Sequence, residues 1–273
     1  MTKMLRKSPL YLFAVLLLVF TGYPFVYMIS TSLKDQATFF EKPFSILTSI
    51  EFENYAAVFQ MGLTRYFLNS LLVSVLSVLL VMLLAAFASY PLGRMTFRLN
   101  RPLFLLFISG MMLPIHATLI PVFKLSQNIG LYDSLWALLG PYIAFSLPIS
   151  IFILTQFMQE IPKSLEEAAK IDGCSHFGIF WRIMMPMLTP ALMTVFIYNF
   201  IHLWNEFIFA LVLIASPENR TLPLGLQDFY GEFSVNVPGL MSALTLASLP
   251  MIAAYLFSQE NVVKGLTGGA LKG

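Results

Sequence analysis

Four polar side chains lie close together in an otherwise apolar stretch, residues 187–214. Asn199, His202 and Glu206 are spaced i, i+3 and i+7, so a helix would present them as one stripe, with Asn205 beside it. Amide, imidazole and carboxylate groups can bond to one another, bind solute hydroxyl groups or carry a proton. Three interpretations stay open: hydrogen bonds between helices, the border of a pathway for a hydroxyl-rich solute, and proton coupling through His202 and Glu206.

The composition of the chain excludes a water-soluble domain around this stripe. Hydrophobic residues make up 58% of the 273 residues, charged residues 11%, and the mean hydropathy is +0.79. Soluble domains carry about 25% charged residues, so lipid is the expected solvent. The net charge of +2 is too small for a nucleic-acid footprint, and the lone Cys174 offers no zinc cluster. We therefore expect no nucleic-acid partner, no metal site and, without hydrolase or metalloprotease motifs, no enzyme.

Six apolar stretches are long enough to cross the ~30 Å core of a bilayer as helices. They predict an all-α polytopic membrane protein with a single transmembrane domain, residues 1–273; the spans are about 10–32, 66–90, 102–124, 135–158, 187–214 and 239–259. The first stretch is too long for a signal-peptide core and lacks a cleavage site, so we expect it to be retained. Prolines in the third and fourth spans predict kinks.

The basic residues predict the orientation of these spans. Eleven of the 16 Lys and Arg residues lie on the same side as the termini: Lys3, Arg6, Lys7, Arg94, Arg98, Arg101, Lys163, Lys170, Arg182, Lys264 and Lys272. The other five are Lys34, Lys42, Arg65, Lys124 and Arg220. By the positive-inside rule both termini are cytoplasmic. The connections at 34–65 and 215–238 then face outward, either as plain connections or as docking platforms for an external protein.

Residues 159–186, here called the 159–186 hairpin, form the cytoplasmic connection between the fourth and fifth spans. Ser164 and Glu167 have capping-box spacing, which predicts a helix that begins near Leu165. Gly173 is expected to reverse the chain, and a second short helix is predicted over residues 175–184. Without further information, this hairpin would be an amphipathic connector at the membrane surface.

The spacing of residues in the hairpin resembles the EAA signature of ABC-importer permeases. The matching residues are Glu167, Ala168, Ala169, Gly173, Ile183 and Pro186, and the one departure is Met185 where the family usually has Leu. The resemblance implies a coupling helix that sits in a groove of a separate cytoplasmic ATPase. In that role Glu166 and Glu167 are expected to pair with basic groups of the partner, while Ala168, Ala169 and Ile183 pack closely.

The C-terminal residues strengthen and narrow this resemblance. Residues 265–273 resemble the last segment of the carbohydrate-importer permeases of the MalG type. Two motifs within the spans also resemble this subfamily: Met112-Leu113-Pro114 and Trp204-Asn205-Glu206-Phe207. The tail lacks the Gly-Lys-Ser/Thr of a phosphate loop, so it cannot hydrolyse ATP by that route. The resemblance implies that it reaches the ATPase interface through Gly265, Leu266, Thr267, Gly269 and Lys272.

The resemblance also implies a function and a set of partners. The chain is expected to be a non-catalytic permease subunit that forms half of the translocation pathway for a sugar, with an oligosaccharide preferred. The expected partners are a second permease subunit, two cytoplasmic ATPase subunits that use the ATP, an extracytoplasmic sugar-binding protein and membrane lipid. No cofactor is expected on this chain, and the location is a bacterial or archaeal cell membrane. The alternative is a self-sufficient, ion-coupled secondary sugar carrier, which would leave the EAA spacing unexplained.

Overall fold

The computed structural model describes residues 8–46, 49–229 and 235–270, and the regular elements in these ranges are helices. In chain order the α-helices are α1 (Ser8–Ser32), α2 (Gln36–Glu41), α3 (Glu53–Gln60), α4 (Leu63–Arg94), α5 (Asn100–Ser109), α6 (Leu119–Asn128), α7 (Trp136–Glu160), α8 (Ser164–Ile171), α9 (His176–Ile179), α10 (Met185–Met187), α11 (Thr189–Trp204), α12 (Ile208–Leu213), α13 (Leu222–Gly225) and α14 (Val237–Ala270). The remaining elements are 3-10 turns at Gly110–Met112, Ile115–Thr118, Pro217–Asn219 and Leu226–Phe229, and a π-helical segment at Phe180–Met184.

Four of these helices, α1, α4, α7 and α14, are long and apolar enough to cross a membrane. Two further pairs qualify if each is counted as one bent span: Asn100–Met112 with Ile115–Asn128, and His176–Met187 with Thr189–Trp204. The all-α class is therefore confirmed, and the described residues give four to six spans. α4 and α7 are formed by nearly continuous apolar sequence. α7 continues as one helix through Pro141 and Pro148.

The predicted third span is broken rather than straight. Its two halves meet at an angle of 90°, and the break lies at Leu113 and Pro114, whose backbones are extended (ψ 126° and 107°). Proline disfavours the helical conformation of the residue before it and lacks the amide that would continue the helix. The predicted kink is confirmed here, and it is a complete break between two helical segments.

The described residues divide into two compact units. One comprises the chain up to Arg65 with Gly225–Leu249, and the other comprises Tyr66–Leu224 with the chain from Pro250 onward. In the first unit, the connection after α1 folds around Lys34, which is buried and donates to the carbonyls of Lys42 (3.2 Å) and Pro43 (3.1 Å). Burial lowers the pKa of Lys34. The predicted 34–65 connection thus contains α2, α3 and a fixed turn.

The core of the second unit joins three long helices to the 159–186 hairpin. Its buried residues are Ala85, Ala86, Tyr90, Leu92, Ile151, Leu154, Met158, Ile161, Ala169, Ile179, Phe180, Met184, Leu188, Ala191, Leu192 and Val195. α4 and α7 approach closely at Gly93, where an added Cβ would lie 3.1 Å from the Cβ of Met158. The hairpin is therefore packed on the bundle and does not lie free at its surface.

A second fixed point in this unit lies at Asp133, in the connection between α6 and α7. Its carboxylate accepts the amides of Ala215 (2.9 Å) and Ser216 (2.8 Å) and the Ser216 hydroxyl. These bonds hold the pKa of Asp133 below its usual value. Asp133 has a φ of 59°, a left-handed conformation that Asp tolerates better than most residues. The start of the 215–238 connection is fixed by this carboxylate.

Candidate functional site

The first helix of the 159–186 hairpin begins one residue earlier than predicted. Ser164 is its first residue, Lys163 occupies the N-cap position, and no side chain caps the helix. The amides of Glu166 and Glu167 donate to the carbonyl of Lys163 instead (3.0 and 3.1 Å). The predicted capping box is wrong, because the helix starts on backbone carbonyls and leaves Ser164 inside the first turn.

Gly173 reverses the chain as predicted. Its φ of +80° is the left-handed conformation that favours glycine. The Gly173 amide donates to Lys170 O (3.0 Å) and the Cys174 amide to Ala169 O (2.9 Å), the paired bonds of a Schellman motif. The next helix starts at once, because Ser175 caps it by accepting the Gly178 amide (3.2 Å).

The two residues of the predicted acidic pair have different surroundings. Glu167 is exposed, whereas Glu166 is buried and forms an ion pair with Arg94, the last residue of α4. Consecutive helical residues point about 100° apart, so one carboxylate faces the bundle and the other faces outward. The prediction that Glu166 pairs with a partner chain is therefore wrong, because its charge is already paired within this chain.

The outward side of the hairpin combines acidic and apolar groups. Glu167 and Ala168 are exposed, Ile171 is 87% exposed and Phe177 is 67% exposed. Ala169 is buried, Ile183 is half-buried and Pro186 is exposed. Large apolar side chains with this degree of exposure make the outward side of the hairpin a candidate surface for a partner protein. We call Glu167, Ala168, Ile171 and Phe177 the hairpin face.

A largely apolar cavity with a few polar side chains in its wall lies next to the predicted stripe. Its volume is about 310 Å³, and its lining residues are Ile115, His116, Leu119, Pro141, Tyr142, Phe145, Ser146, Ile149, Tyr198, Asn199, His202, Leu203, Glu206, Ile208 and Phe209. Three of the four predicted stripe residues line it, and Asn205 does not. Asn205 donates to Ile201 O (2.8 Å) and contacts the sulfur of Met251 (3.1 Å).

The stripe is not one helical face, because α11 ends at Trp204. The predicted span over residues 187–214 is interrupted inside its bounds: α11 covers Thr189–Trp204, and residues 205–207 separate it from α12, which ends at Leu213. Asn205 closes α11 (φ −92°, ψ 2°), and the Glu206 carboxylate accepts the Phe209 amide at the start of α12 (2.7 Å). A carboxylate at a helix N-terminus satisfies amides that would otherwise lack partners.

Sequence reasoning missed the partners of these side chains. Tyr142 on α7 donates its hydroxyl to Glu206 (2.8 Å), and Asn199 donates to Ser150 on the same helix (2.9 Å). The rings of Tyr198 and His202 lie 4.5 Å apart beside the cavity. Ser146, Ser150 and Tyr142 repeat at helical spacing along α7, which is the signal that could have identified this polar face.

The C-terminal segment is helical where it is described. Gly265, Leu266, Thr267 and Gly269 lie in the last turns of α14, which ends at Ala270. Lys272 lies outside the described residues, as do Lys3, Arg6 and Lys7. Within residues 8–46, 49–229 and 235–270, no group of three or more His, Cys, Asp or Glu side chains lies close enough to hold a metal ion.

The apolar helices and the packed hairpin are those of a multi-pass membrane protein. Residues 82–268 match the family described as the inner membrane component of binding-protein-dependent transport systems. A putative ABC transporter permease, ORF2 of Caldicellulosiruptor sp. (strain Rt8B.4), is 45% identical over 268 residues, 98% of each chain. The trehalose/maltose transport system permease MalG of Thermococcus litoralis is 33% identical, with 99% of each chain covered.

A solved structure agrees with this relationship at the level of the fold. The crystal structure of a bacterial ABC transporter involved in import of the acidic polysaccharide alginate has a chain with a TM-score of 0.81 at 23% identity, and 95% of each chain is covered. The chain described here belongs to the family of binding-protein-dependent inner membrane components. It is a permease of the ABC importers, as the EAA spacing predicted.

Proposed function

We propose that the chain is the transmembrane permease subunit of an ABC importer for a sugar, with an oligosaccharide as the preferred substrate. The observation that carries the proposal is the full-length likeness to sugar permeases, including one named for trehalose and maltose. Other relatives are named for arabinooligosaccharides and for melibiose, raffinose and stachyose. The ion-coupled secondary carrier is the second candidate, favoured only by the ionisable stripe, and it gives the hairpin face no role.

The proposed assembly contains two permease subunits, two cytoplasmic ATPase subunits and an extracytoplasmic sugar-binding protein. A structure whose chain resembles this one is an alginate ABC transporter with its oligosaccharide-bound periplasmic protein. By analogy, the connections at 34–65 and 215–238 dock the binding protein. Residues 1–273 act as one transmembrane domain with both termini in the cytoplasm of a bacterial or archaeal cell, as the basic residues predict.

The hairpin face is proposed to seat in a groove of the ATPase. Ile171 and Phe177 would bury apolar surface there, worth about 1.5–3 kcal/mol per fully buried large side chain. Glu167 would pair with a basic group, and exposed Ala168 lets the partner approach the backbone. The C-terminal residues Gly265, Leu266, Thr267, Gly269 and Lys272 are proposed to reach the same interface. The ATPase subunits would supply the ATP chemistry, so this chain needs no cofactor or catalytic residue.

The cavity is proposed to border the sugar pathway. His116, His202 and Tyr198 offer imidazole and phenol groups beside apolar walls, a combination that suits hydroxyl groups and sugar rings. Asn199 and Glu206 hold the wall in place through Ser150, Tyr142 and the start of α12. The proposal therefore combines two of the three interpretations of the stripe. Asn199 and Glu206 form hydrogen bonds between helices, and His202 lines the pathway.

Purification of the assembly in mild detergent tests the docking role of the hairpin face. We expect an ATP-hydrolysing chain to co-purify with the wild-type permease from the native membrane. Glu167→Lys reverses a charge on the hairpin face and should reduce the amount of co-purified ATPase about 5-fold or more, as loss of a charged interfacial hydrogen bond does. Arg98→Gln, an exposed charge change outside the hairpin, is the matched control.

Two results would count against the docking role. Undiminished ATPase recovery with Glu167→Lys would remove Glu167 from the interface. A cysteine introduced at Ile171, in a Cys174→Ser background, should also cross-link to the ATPase chain. Failure of that cross-link, while the ATPase still co-purifies, would place the interface elsewhere on the permease.

A further inference from the structure

A buried ion pair between Arg94 and Glu166 connects the hairpin to α4, in addition to their apolar contacts. The Arg94 side chain is 2% exposed and the Glu166 side chain 9% exposed. Arg94 Nε donates to Glu166 Oε1. Removal of one partner of a buried ion pair leaves an uncompensated charge, so the two side chains constrain each other strongly.

The same guanidinium also binds the end of α7. Arg94 Nη1 donates to Met158 O (2.9 Å) and Ile161 O (2.7 Å). α7 ends at Glu160, and the last carbonyls of a helix have no partner inside it. A cation at a helix C-terminus also complements the helix dipole. One side chain therefore joins the end of α4, the end of α7 and the first helix of the hairpin.

We propose that Arg94 is a positioning residue that fixes the orientation of the hairpin relative to α4 and α7. A displacement of the hairpin face then moves both helices as one body. The inference rests on the proposed docking of that face to the ATPase. The apolar contacts of Ala169, Ile179 and Phe180 are less directional than hydrogen bonds, whereas a guanidinium with three acceptors fixes direction and register.

The two adjacent carboxylates then have separate roles. Glu167 faces the partner, and Glu166 faces Arg94, so changes at the two positions should separate docking from transmission. A lysine at position 94 keeps the positive charge, but its single ammonium lacks the planar fork that reaches three acceptors. Arg94→Lys is therefore a test of geometry and not only of charge.

The measurement uses the complete complex, with its ATPase and binding protein, reconstituted in lipid vesicles. The readout is the number of sugar molecules imported per ATP hydrolysed, with the labelled sugar that wild type imports fastest among trehalose, maltose, raffinose and stachyose. Arg94→Gln, Arg94→Lys and Glu166→Gln should each lower this ratio about 5-fold or more, the lower end of coupling between distant sites. Arg98→Gln should keep the wild-type ratio, and ATPase recovery should stay at the wild-type level in all four.

The outcomes separate this inference from the docking proposal. An unchanged ratio, with import and hydrolysis reduced in proportion, would mean that the ion pair only supports folding and would overturn the inference. Failure of all three variants to assemble would overturn it in the same way. Loss of the ATPase with Glu166→Gln would also contradict it, because Glu166 would then be a docking residue. Both proposals require that the ATPase is lost from the Glu167→Lys complex and retained in the Arg94 and Glu166 variants.

Discussion

At the scale of single residues, the adjacent carboxylates Glu166 and Glu167 have different surroundings, because Glu166 pairs with Arg94 and Glu167 is exposed. Gly173 is in the left-handed conformation that its position required. Glu166 and Glu167 have the same residue type and adjacent positions, so the sequence could not assign one to Arg94. Arg94 and Glu166 are 72 residues apart in the chain, and only the tertiary structure shows that they are in contact.

Gly173 gives a direct test at this scale. No atom lies within 4 Å of a Cβ added there, so a substitution acts through backbone strain and not through a clash. Gly173→Val should cost about 1–2 kcal/mol in the hairpin, because L-residues other than Asn and Asp rarely adopt this conformation. We expect import per ATP to fall while membrane insertion stays normal. The measurement is the ratio of import to hydrolysis in reconstituted vesicles.

Gly173→Asn is the matched control, since Asn tolerates the left-handed conformation at a helix C-terminus. It should retain most of the wild-type ratio. Equal, wild-type ratios in both variants would show that the turn at Gly173 does not transmit motion.

At the scale of helices, hydropathy located the apolar elements but not the places where they break. α4 and α7 were predicted within a few residues, because they are long and nearly uniformly apolar. The break at Leu113 and Pro114 carried a proline signal. The end of α11 at Trp204 has no comparable signal in the sequence. It is followed by Glu206, which accepts hydrogen bonds from two amides of α12 and from the hydroxyl of Tyr142. The bond from Tyr142 to Glu206 joins residues 64 apart in the chain, and a long-range bond leaves no local pattern.

The cavity beside α7 and α11 can be tested by thiol labelling. His202→Cys, in a Cys174→Ser background, should react with a water-soluble methanethiosulfonate reagent, because its side chain lines the cavity. A saturating transported sugar should slow this reaction. Ile201→Cys is the control, since Ile201 is exposed on the same helix but does not line the cavity. Labelling of His202→Cys that is absent, or is unaffected by sugar, would contradict a pathway at this cavity.

At the scale of the whole molecule, the family resemblance in the hairpin and the tail supplied what composition alone could not. Composition and hydropathy led to a helical membrane protein of unknown purpose. The EAA spacing pointed to an ABC-importer permease, and the matched family confirms this. Neither composition nor the family resemblance identified the sugar. The sequence contains no local pattern that distinguishes one sugar from another, because the lining of the cavity is assembled from α7, α11 and neighbouring turns.

The most direct test of the central claim, that a separate ATPase drives this permease through its hairpin, is sugar uptake by proteoliposomes of defined composition. Labelled trehalose, maltose, raffinose and stachyose are offered to vesicles with the complete complex, and to vesicles with this chain alone under a proton or sodium gradient. We predict that a sugar accumulates only with the complete complex, its binding protein and ATP. Accumulation by the chain alone, driven by an ion gradient without ATP, would contradict the account.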